Sequence, residues 1–242
     1  MPDDTPPQPE LFSSFDDAWR AFLRRDASGV ASNDMPAFAQ GRAQFLAFIA
    51  RIEDAHAREH LARVNQRVAS IPGLEPFPDS YWHITIKGVG FQVIKRSHDD
   101  DIMREDVSRL ASRAKGALDG VRAFDVQLGP PNAFPDAVIL EAHDGGAALA
   151  LNEALAGLEG VARYPSDGEG YLPHVSIAQF TSGEGIAQLK AALTELRGEG
   201  PGPGFPVRRI ELVKAWLSED VPEFDTLATY TLAPQRSLGG AP

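Results

Sequence analysis

A four-residue pattern of histidine, apolar, hydroxyl and apolar residues occurs twice in the sequence. It is HITI at residues 83–86 and HVSI at residues 174–177. Alternate side chains of a β-strand point to one face, so each histidine would share a face with the hydroxyl two places later. Histidine can both accept and donate a proton near neutral pH, because its unperturbed pKa is about 6.5. The pattern therefore predicts that His83 and His174 form an acid–base pair that acts on a phosphate diester.

The hydroxyl residues of the two patterns, Thr85 and Ser176, suit the same chemistry. A hydroxyl can donate a hydrogen bond to a non-bridging phosphate oxygen, where negative charge grows in the transition state. One such match alone is weak, since a single histidine on a half-buried strand is usually structural. Two matches at equivalent places of an internal repeat favour a cleft with one histidine on each wall.

The elements around the two patterns also repeat. A shift of 91 residues, from 83 to 174, places residues 45–50 on 136–141 as well. Periodicity predicts strands and helices in the same order twice. The strands are 44–52, 81–91, 124–129, 137–142 and 172–180, the helices are 53–69, 101–118, 147–158 and 186–197, and a final hairpin joins 207–217 to 224–232. The predicted fold is α+β, a bilobal pseudo-two-fold repeat in which two mainly antiparallel sheets line a central cleft with helices outside.

Local signals refine three of these elements. One apolar stripe on helix 53–69 consists of Ala57, Leu61, Val64 and Val68. The aspartates at 99–101 follow His98 and are interpreted as caps of helix 101–118 rather than as Mg²⁺ ligands. The segment PPNAFPD at 130–136 is a strong turn signal between two strands.

The chain divides into an extension, a two-lobed domain and a tail. The extension is 1–41, the domain is 42–235 with lobes of approximately 42–130 and 131–235, and the tail is 236–242. Residues 1–10 are polar and Pro-rich, which predicts disorder. Apolar residues at helical spacing predict a helix over 11–25 that docks on the domain. They are Leu11, Phe12, Phe15, Trp19, Phe22 and Leu23.

Composition excludes several classes of protein. The 242 residues fit one sizeable domain or two small lobes, and the absence of cysteine excludes disulfides and thiol nucleophiles. No apolar run is long enough to cross a bilayer, and the acidic start is unlike a secretory signal. The net charge of −11 argues against an extended surface for duplex nucleic acid. We therefore expect a cytoplasmic monomer without membrane partners.

The two histidine motifs resemble those of the two-histidine (2H) phosphoesterase superfamily, and within it the bacterial 2′-5′ RNA ligase and RNA 2′,3′-cyclic phosphodiesterase family. The resemblance spans about residues 42–235 and rests on HITIKGVG, FDVQLGPPNAFPDAVILEA and LPHVSIAQF. It implies a bilobal fold, catalysis without metal or cofactor, and RNA ends or small nucleotides as substrates. It also implies catalysis by His83 and His174 with phosphate contacts from Thr85 and Ser176.

The sequence departs from the family pattern at one charged position. Many members have an arginine five places after the second histidine, where this chain has Gln179. Lys87 has the same strand parity as His83, so we expect it to supply the missing positive charge.

Aromatic residues near the motifs are candidates for stacking with a nucleobase, which is worth about 1–3 kcal/mol. The alternative is that they belong to the core or to the rim of the cleft. The candidates are Tyr81, Phe91, Tyr171 and Phe180, and Trp82, with the opposite parity, is predicted in the core.

One competing motif points to another class of enzyme. Residues 56–60 are HAREH, the H-x-x-E-H pattern of some zinc peptidases. The two histidines fall beside the apolar stripe of their helix, next to Arg63 and Arg67. A basic flank suits a dication poorly, so we expect a solvated helix face.

The motifs predict a phosphodiesterase that needs no metal, and the family resemblance implies that it hydrolyses 2′,3′-cyclic phosphate to 2′-phosphate and can catalyse reversible 2′-5′ RNA ligation. The alternative is a binding module that holds AMP or a 2′-5′ oligoadenylate without turnover. The glutamine at position 179 gives this alternative its weight.

Overall fold

The computed structural model describes residues 10–30, 35–217 and 221–235, which form six α-helices and ten strands. The helices are α1 (Phe15–Arg24), α2 (Met35–Ala39), α3 (Ala55–Val68), α4 (Val107–Leu118), α5 (Ala147–Ala156) and α6 (Ile186–Gly198). The strands are β1 (Gln44–Arg51), β2 (Leu74–Pro76), β3 (His83–Val93), β4 (Asp101–Met103), β5 (Phe124–Ala133), β6 (Ala137–His143), β7 (His174–Phe180), β8 (Gly204–Val207), β9 (Arg209–Trp216) and β10 (Glu223–Thr231).

The strands form one sheet made of two halves that meet at the histidine motifs. Its order is β10-β9-β1-β3-β7-β6-β5-β8, with β4 beside β3 and β2 beside β7. The halves are joined where β3 and β7 run antiparallel, through the pair Ile84–Val175. Beyond that pair the strands diverge, and β2 and β4 occupy their free edges. This arrangement is compatible with the predicted pseudo-two-fold repeat.

The chain crosses between the two halves. Strand β5 follows α4 in the sequence but lies beside β6 in the second half. The hairpin β9–β10 comes last but lies beside β1 in the first half. The first half is therefore completed by a hairpin from late in the chain, whereas the second half begins with β5, which directly precedes β6.

Two asparagines, the half-buried Asn65 and the buried Asn152, hold the motif strands where they part. Asn65 of α3 donates to the Ile177 carbonyl of β7 at 3.1 Å, and Asn152 of α5 donates to the Ile86 carbonyl of β3 at 2.9 Å. Each carbonyl lies three residues after a motif histidine. Since an unpaired buried carbonyl is costly, these amides stabilise the divergence of β3 from β7.

The hydrophobic core lies on the face of the sheet opposite the motif histidines. Ile84 and Val175 point into it and are buried, together with the predicted stripe of α3. Trp82 is also buried there, as predicted. Alternation in the two motif strands therefore separates apolar residues, which face the helices, from the polar residues of the site.

The extension docks on the second half through α1. Its N-cap is Ser14, whose side chain accepts from the Asp17 amide, and Phe22 enters the core. Asn132 of β5 donates to the Phe15 carbonyl at 2.9 Å. The predicted docking helix is confirmed for residues 15–24, while residues 1–9 lie outside the described part of the chain.

Two predicted elements are wrong in detail, and one short edge strand is not among the predicted strands. The helix expected over 101–118 begins at Val107, and Asp101 starts a short strand in which its carboxylate binds Arg42 at 2.9 Å. The expected turn at 130–136 is shorter, because β5 continues through Pro130 and Pro131 at a bulge. The glycine-rich segment after α6 contains the edge strand β8. In the described residues, no helix is long and apolar enough to cross a membrane.

Candidate active site

The two motif histidines have the same hydrogen-bond arrangement. The Nδ1 of His83 contacts the Tyr81 carbonyl at 2.5 Å, and the Nδ1 of His174 contacts the Leu172 carbonyl at 2.7 Å. A carbonyl only accepts, so each Nδ1 carries the hydrogen. In the neutral imidazole, each Nε2 is then left with a free lone pair. Both rings are therefore held with Nε2 as the reactive nitrogen.

Strand register brings the four motif side chains to one face. Because Ile84 pairs with Val175 and both point into the core, the residues that flank this pair, His83 and Thr85 on β3 and His174 and Ser176 on β7, point to the opposite face of the sheet. The hydroxyl of Thr85 is 3.0 Å from the Nε2 of His83 and donates to it when the imidazole is neutral. The two predicted catalytic residues and the two predicted phosphate contacts thus share one place in the fold.

Both imidazoles have a pKa below the usual value. Burial lowers the pKa of His83 to about 4, and the nearby charges of His174 and Arg51 act in the same direction. Burial also lowers the pKa of His174, while the negative charge of Asp136 opposes that shift. Both residues are consequently neutral at pH 7 in the free protein, and an anion bound between them would favour their protonated forms.

Aromatic rings pack against both histidines. Phe224 of β10 meets the ring of His83 edge-on at 4.9 Å between centroids, and Phe134 meets His174 in the same way at 4.9 Å. Tyr81 stacks on Phe224 and also contacts His83. Burial raises the pKa of Tyr81 to about 12, so this phenol stays protonated. These contacts restrict rotation of the imidazoles.

The other predicted binding residues have different surroundings. The side chain of Lys87 is fully buried, and its ammonium lies 2.8 Å from Asp167 and 2.7 Å from the Ala162 carbonyl. Phe180 and Phe91 are buried, at 3% and 0% exposure, so neither offers a ring face to a nucleobase in this conformation. The structure therefore does not bring Lys87 or Phe180 to the cleft as expected.

The stacking candidate Tyr171 and the residue in place of the family arginine, Gln179, are both engaged by neighbouring groups. Tyr171 donates its hydroxyl to the Thr85 carbonyl at 2.9 Å, which ties the loop before β7 to the first motif. Gln179 donates to Glu75 at 2.7 Å. A glutamine bonded to a carboxylate brings no positive charge to this position.

Arg51 is a candidate site residue for which the sequence carries no motif. It is the last residue of β1 and pairs directly with His83 in the strand register. In the sequence, Arg51 is visible only as a charged residue at the end of a buried strand. Its relation to His83 becomes apparent only from the register of β1 against β3.

The zinc-peptidase motif does not assemble into a metal site. His56 is exposed on α3, and the Nδ1 of His60 is 3.0 Å from Arg63. Within the described ranges, no three histidine, aspartate or glutamate side chains are grouped to hold a metal ion.

A strand-centred pair of histidines with adjacent hydroxyls, at the junction of two sheet halves, defines the class of protein. The sequence model of the 2′-5′ RNA ligase superfamily matches residues 47–215, which include both motifs. The chain belongs to this superfamily of two-histidine phosphoesterases, as its motifs predict. No curated protein sequence matches it significantly.

Solved structures share the fold at low sequence identity. TT0787 of Thermus thermophilus is 18% identical with a TM-score of 0.55, covering 79% of this chain and 99% of that one. The protein of unknown function ATU0111 of Agrobacterium tumefaciens is 16% identical with a TM-score of 0.58, covering 77% and 85%. E. coli LigT in its apo form is 15% identical with a TM-score of 0.54, covering 80% and 99%. These similarities confirm the α+β fold with a mainly antiparallel sheet.

Proposed function

We propose that this protein hydrolyses 2′,3′-cyclic phosphates, at RNA ends or in small nucleotides, to 2′-phosphates. The observation that carries the proposal is the matched pair of imidazoles, each of which keeps its Nε2 for the reaction. E. coli LigT, which shares the fold, has been solved in complex with 3′-AMP, which supports a substrate of nucleotide size.

We assign His83 as the general base and His174 as the general acid. Arg51 opposes protonation of His83, whereas Asp136 favours protonation of His174. In hydrolysis, the Nε2 of His83 takes a proton from water as the water oxygen bonds to phosphorus. The bond from phosphorus to O3′ breaks, and the Nε2–H of His174 protonates that oxygen. The products are a 2′-phosphate and a 3′-hydroxyl, and matched acid–base catalysis of this kind contributes about 10²–10⁴-fold.

The hydroxyls of Thr85 and Ser176 are assigned to the non-bridging phosphate oxygens. On binding, the Thr85 hydroxyl turns from the imidazole to the phosphate, which leaves the lone pair of His83 for water. Attack by the 5′-hydroxyl of a second RNA, in place of water, forms a 2′-5′ linkage with the same two proton transfers. Ligation and hydrolysis therefore need one set of residues.

The test is turnover of 2′,3′-cyclic AMP and of a short RNA ending in a cyclic phosphate, with EDTA present. We expect a 2′-phosphate product from the wild type and a loss of about 10²–10⁴-fold in kcat for His83→Ala and for His174→Ala. His56→Ala, at an exposed histidine on α3, is the matched control and should keep full activity. Undiminished turnover in both active-site variants would refute the assignment.

The nucleotide-binding module has one observation in its favour, the neutral Gln179 bound to Glu75. Calorimetry with AMP and a 2′-5′ oligoadenylate distinguishes it from the enzyme. Binding by the wild type without product after prolonged incubation would support the module.

A further inference from the structure

Arg51 shares the catalytic face with His83. The two residues are direct partners in the antiparallel register of β1 and β3, so their side chains point to the same side of the sheet. The guanidinium lies 5.6 Å from the ring centre of Phe224, which itself packs on the His83 imidazole. Arg51 therefore belongs to the wall of the cleft that carries the proposed base.

One edge of the Arg51 guanidinium is anchored. Its Nε donates to the buried carboxylate of Glu211 at 2.9 Å. Glu211 is held in turn by the Thr226 hydroxyl at 3.0 Å and by Arg209 at 3.5 Å. Arg209 also pairs with Glu53, so what Arg51 offers to a ligand is not a surplus charge of this group but the hydrogen-bonding edge of its own guanidinium.

The other edge of the guanidinium is available. The Arg51 side chain is 26% exposed, and neither terminal nitrogen has a hydrogen-bond partner among the residues that the structure describes. A guanidinium fixed through Nε, with both terminal nitrogens open, can bond two oxygens of one phosphate. The other candidate cation, Lys87, is engaged by Asp167 and by carbonyls.

We propose that Arg51 binds the reacting phosphate and supplies the positive charge that Gln179 does not provide. The inference rests on the proposed function, and it names the ligand as a phosphodiester monoanion held between His83 and the terminal nitrogens of Arg51. Glu211 is a positioning residue, because it contacts Arg51 and not the phosphate. The guanidinium also stabilises the charge that grows on the phosphate oxygens during attack.

The test compares Arg51→Gln and Arg51→Lys with the wild type. Arg67→Gln is the matched control, since Arg67 makes an exposed ion pair with Glu195 on the outer face of α3. Binding of inorganic phosphate and of 3′-AMP is measured by calorimetry, and kcat and KM are measured with 2′,3′-cyclic AMP. The thermal melting point of each variant reports its folding, and in Arg51→Gln the carboxylate of Glu211 keeps Arg209 and Thr226 as partners.

For Arg51→Gln we expect a Kd for phosphate and 3′-AMP raised about 10- to 100-fold and a kcat/KM lowered by at least as much, as for loss of a charged hydrogen-bond pair. Arg51→Lys should fall between, because lysine keeps the charge without the planar fork. Arg67→Gln should match the wild type. Because Arg51 opposes protonation of His83, the pKa of that imidazole, followed by NMR, should rise in Arg51→Gln.

The outcomes separate this inference from the proposed function. Binding that depends on Arg51 without any turnover would support the phosphate site and refute the cyclic phosphodiesterase. Normal turnover with phosphate binding unchanged in Arg51→Gln would refute the role of Arg51 and leave the enzyme. If Arg51→Gln does not fold, the phosphate affinity of Arg51→Lys is compared with that of the wild type instead. Equal affinities would also refute the role of Arg51 in phosphate binding. Failure of the wild type to bind either probe would overturn the inference.

Discussion

Replacing His83 with glutamine should reduce the loss of folding stability that the protein undergoes on acidification. The pKa of His83 is about 4 in the folded protein, against about 6.5 in an unfolded chain. Between these pH values the unfolded chain binds a proton that the native state does not bind. The free energy of unfolding therefore falls as the pH drops through this window, and the contribution vanishes above pH 6.5 or so. Glutamine cannot titrate, and it can still donate to the Tyr81 carbonyl.

The size of this effect follows from the same two pKa values. One pKa unit corresponds to about 1.4 kcal/mol. Lowering the pH from 7 to 4.5 should therefore reduce the free energy of unfolding of the wild type by about 2 kcal/mol through His83, because the unfolded chain binds the proton there. The variant lacks this reduction. Urea unfolding, followed by tryptophan fluorescence at both pH values, measures the difference. The absolute stability of the variant is irrelevant, because only its change between the two pH values enters the comparison.

A matched substitution separates this effect from general acid denaturation. His56→Gln removes an exposed histidine on α3 and should follow the wild type at both pH values. If His83→Gln loses as much stability on acidification as the wild type, the imidazole is not desolvated as its surroundings imply. The assignment of His83 as the base would then lose its electrostatic support.

Three further substitutions test packing around the site. Lys87→Met leaves Asp167 without its buried partner and should lower the free energy of unfolding, measured by urea titration, by about 3–5 kcal/mol. A change below about 1 kcal/mol would refute a structural role for this ion pair. Gly90→Ala places a Cβ against the Asp100 carbonyl at a positive φ and should cost about 1–3 kcal/mol or more, seen as a lower Tm; an unchanged Tm would contradict the strain. Phe134→Ala frees the His174 ring and should lower kcat up to about 10-fold with KM little changed, and a KM effect alone would instead indicate substrate contact.

Local periodicity was sufficient to predict the elements whose pattern directly reflects burial. All four residues of the α3 stripe are buried, and so are the apolar residues of the two histidine motifs, Ile84 and Ile86 on β3 and Val175 and Ile177 on β7. The reason is that helix and strand periods are set by backbone geometry and need no knowledge of distant partners. The same alternation predicts that each motif histidine shares a face with the hydroxyl two places later, whereas the meeting of the two motifs was predicted from the internal repeat.

Features that depend on distant partners were not predictable in this way. Asp101 was expected to cap a helix, but Arg42, 59 residues away, holds it in a strand. The role of Arg51 depends on the register of β1 against β3, and its anchor Glu211 is 160 residues away. The register shift between Thr85 and Lys87 interrupts the alternation from His83, so that Lys87 pairs with Phe48 and its ammonium binds Asp167. Charged residues have no periodic signal, so their partners are decided by tertiary structure.

The pairing of β1 with a hairpin from late in the chain has a consequence during synthesis. Strand β1 leaves the ribosome early, but one of its edges pairs with β9, near the other end of the chain. Until β9 emerges, that edge presents unpaired backbone groups, which can pair with other nascent chains. Because long-range strand pairing is slow, folding of the first half has to wait until translation is nearly complete. The protein should therefore gain its protease resistance in one late step, and chains stalled before β9 should be degraded or bound by chaperones.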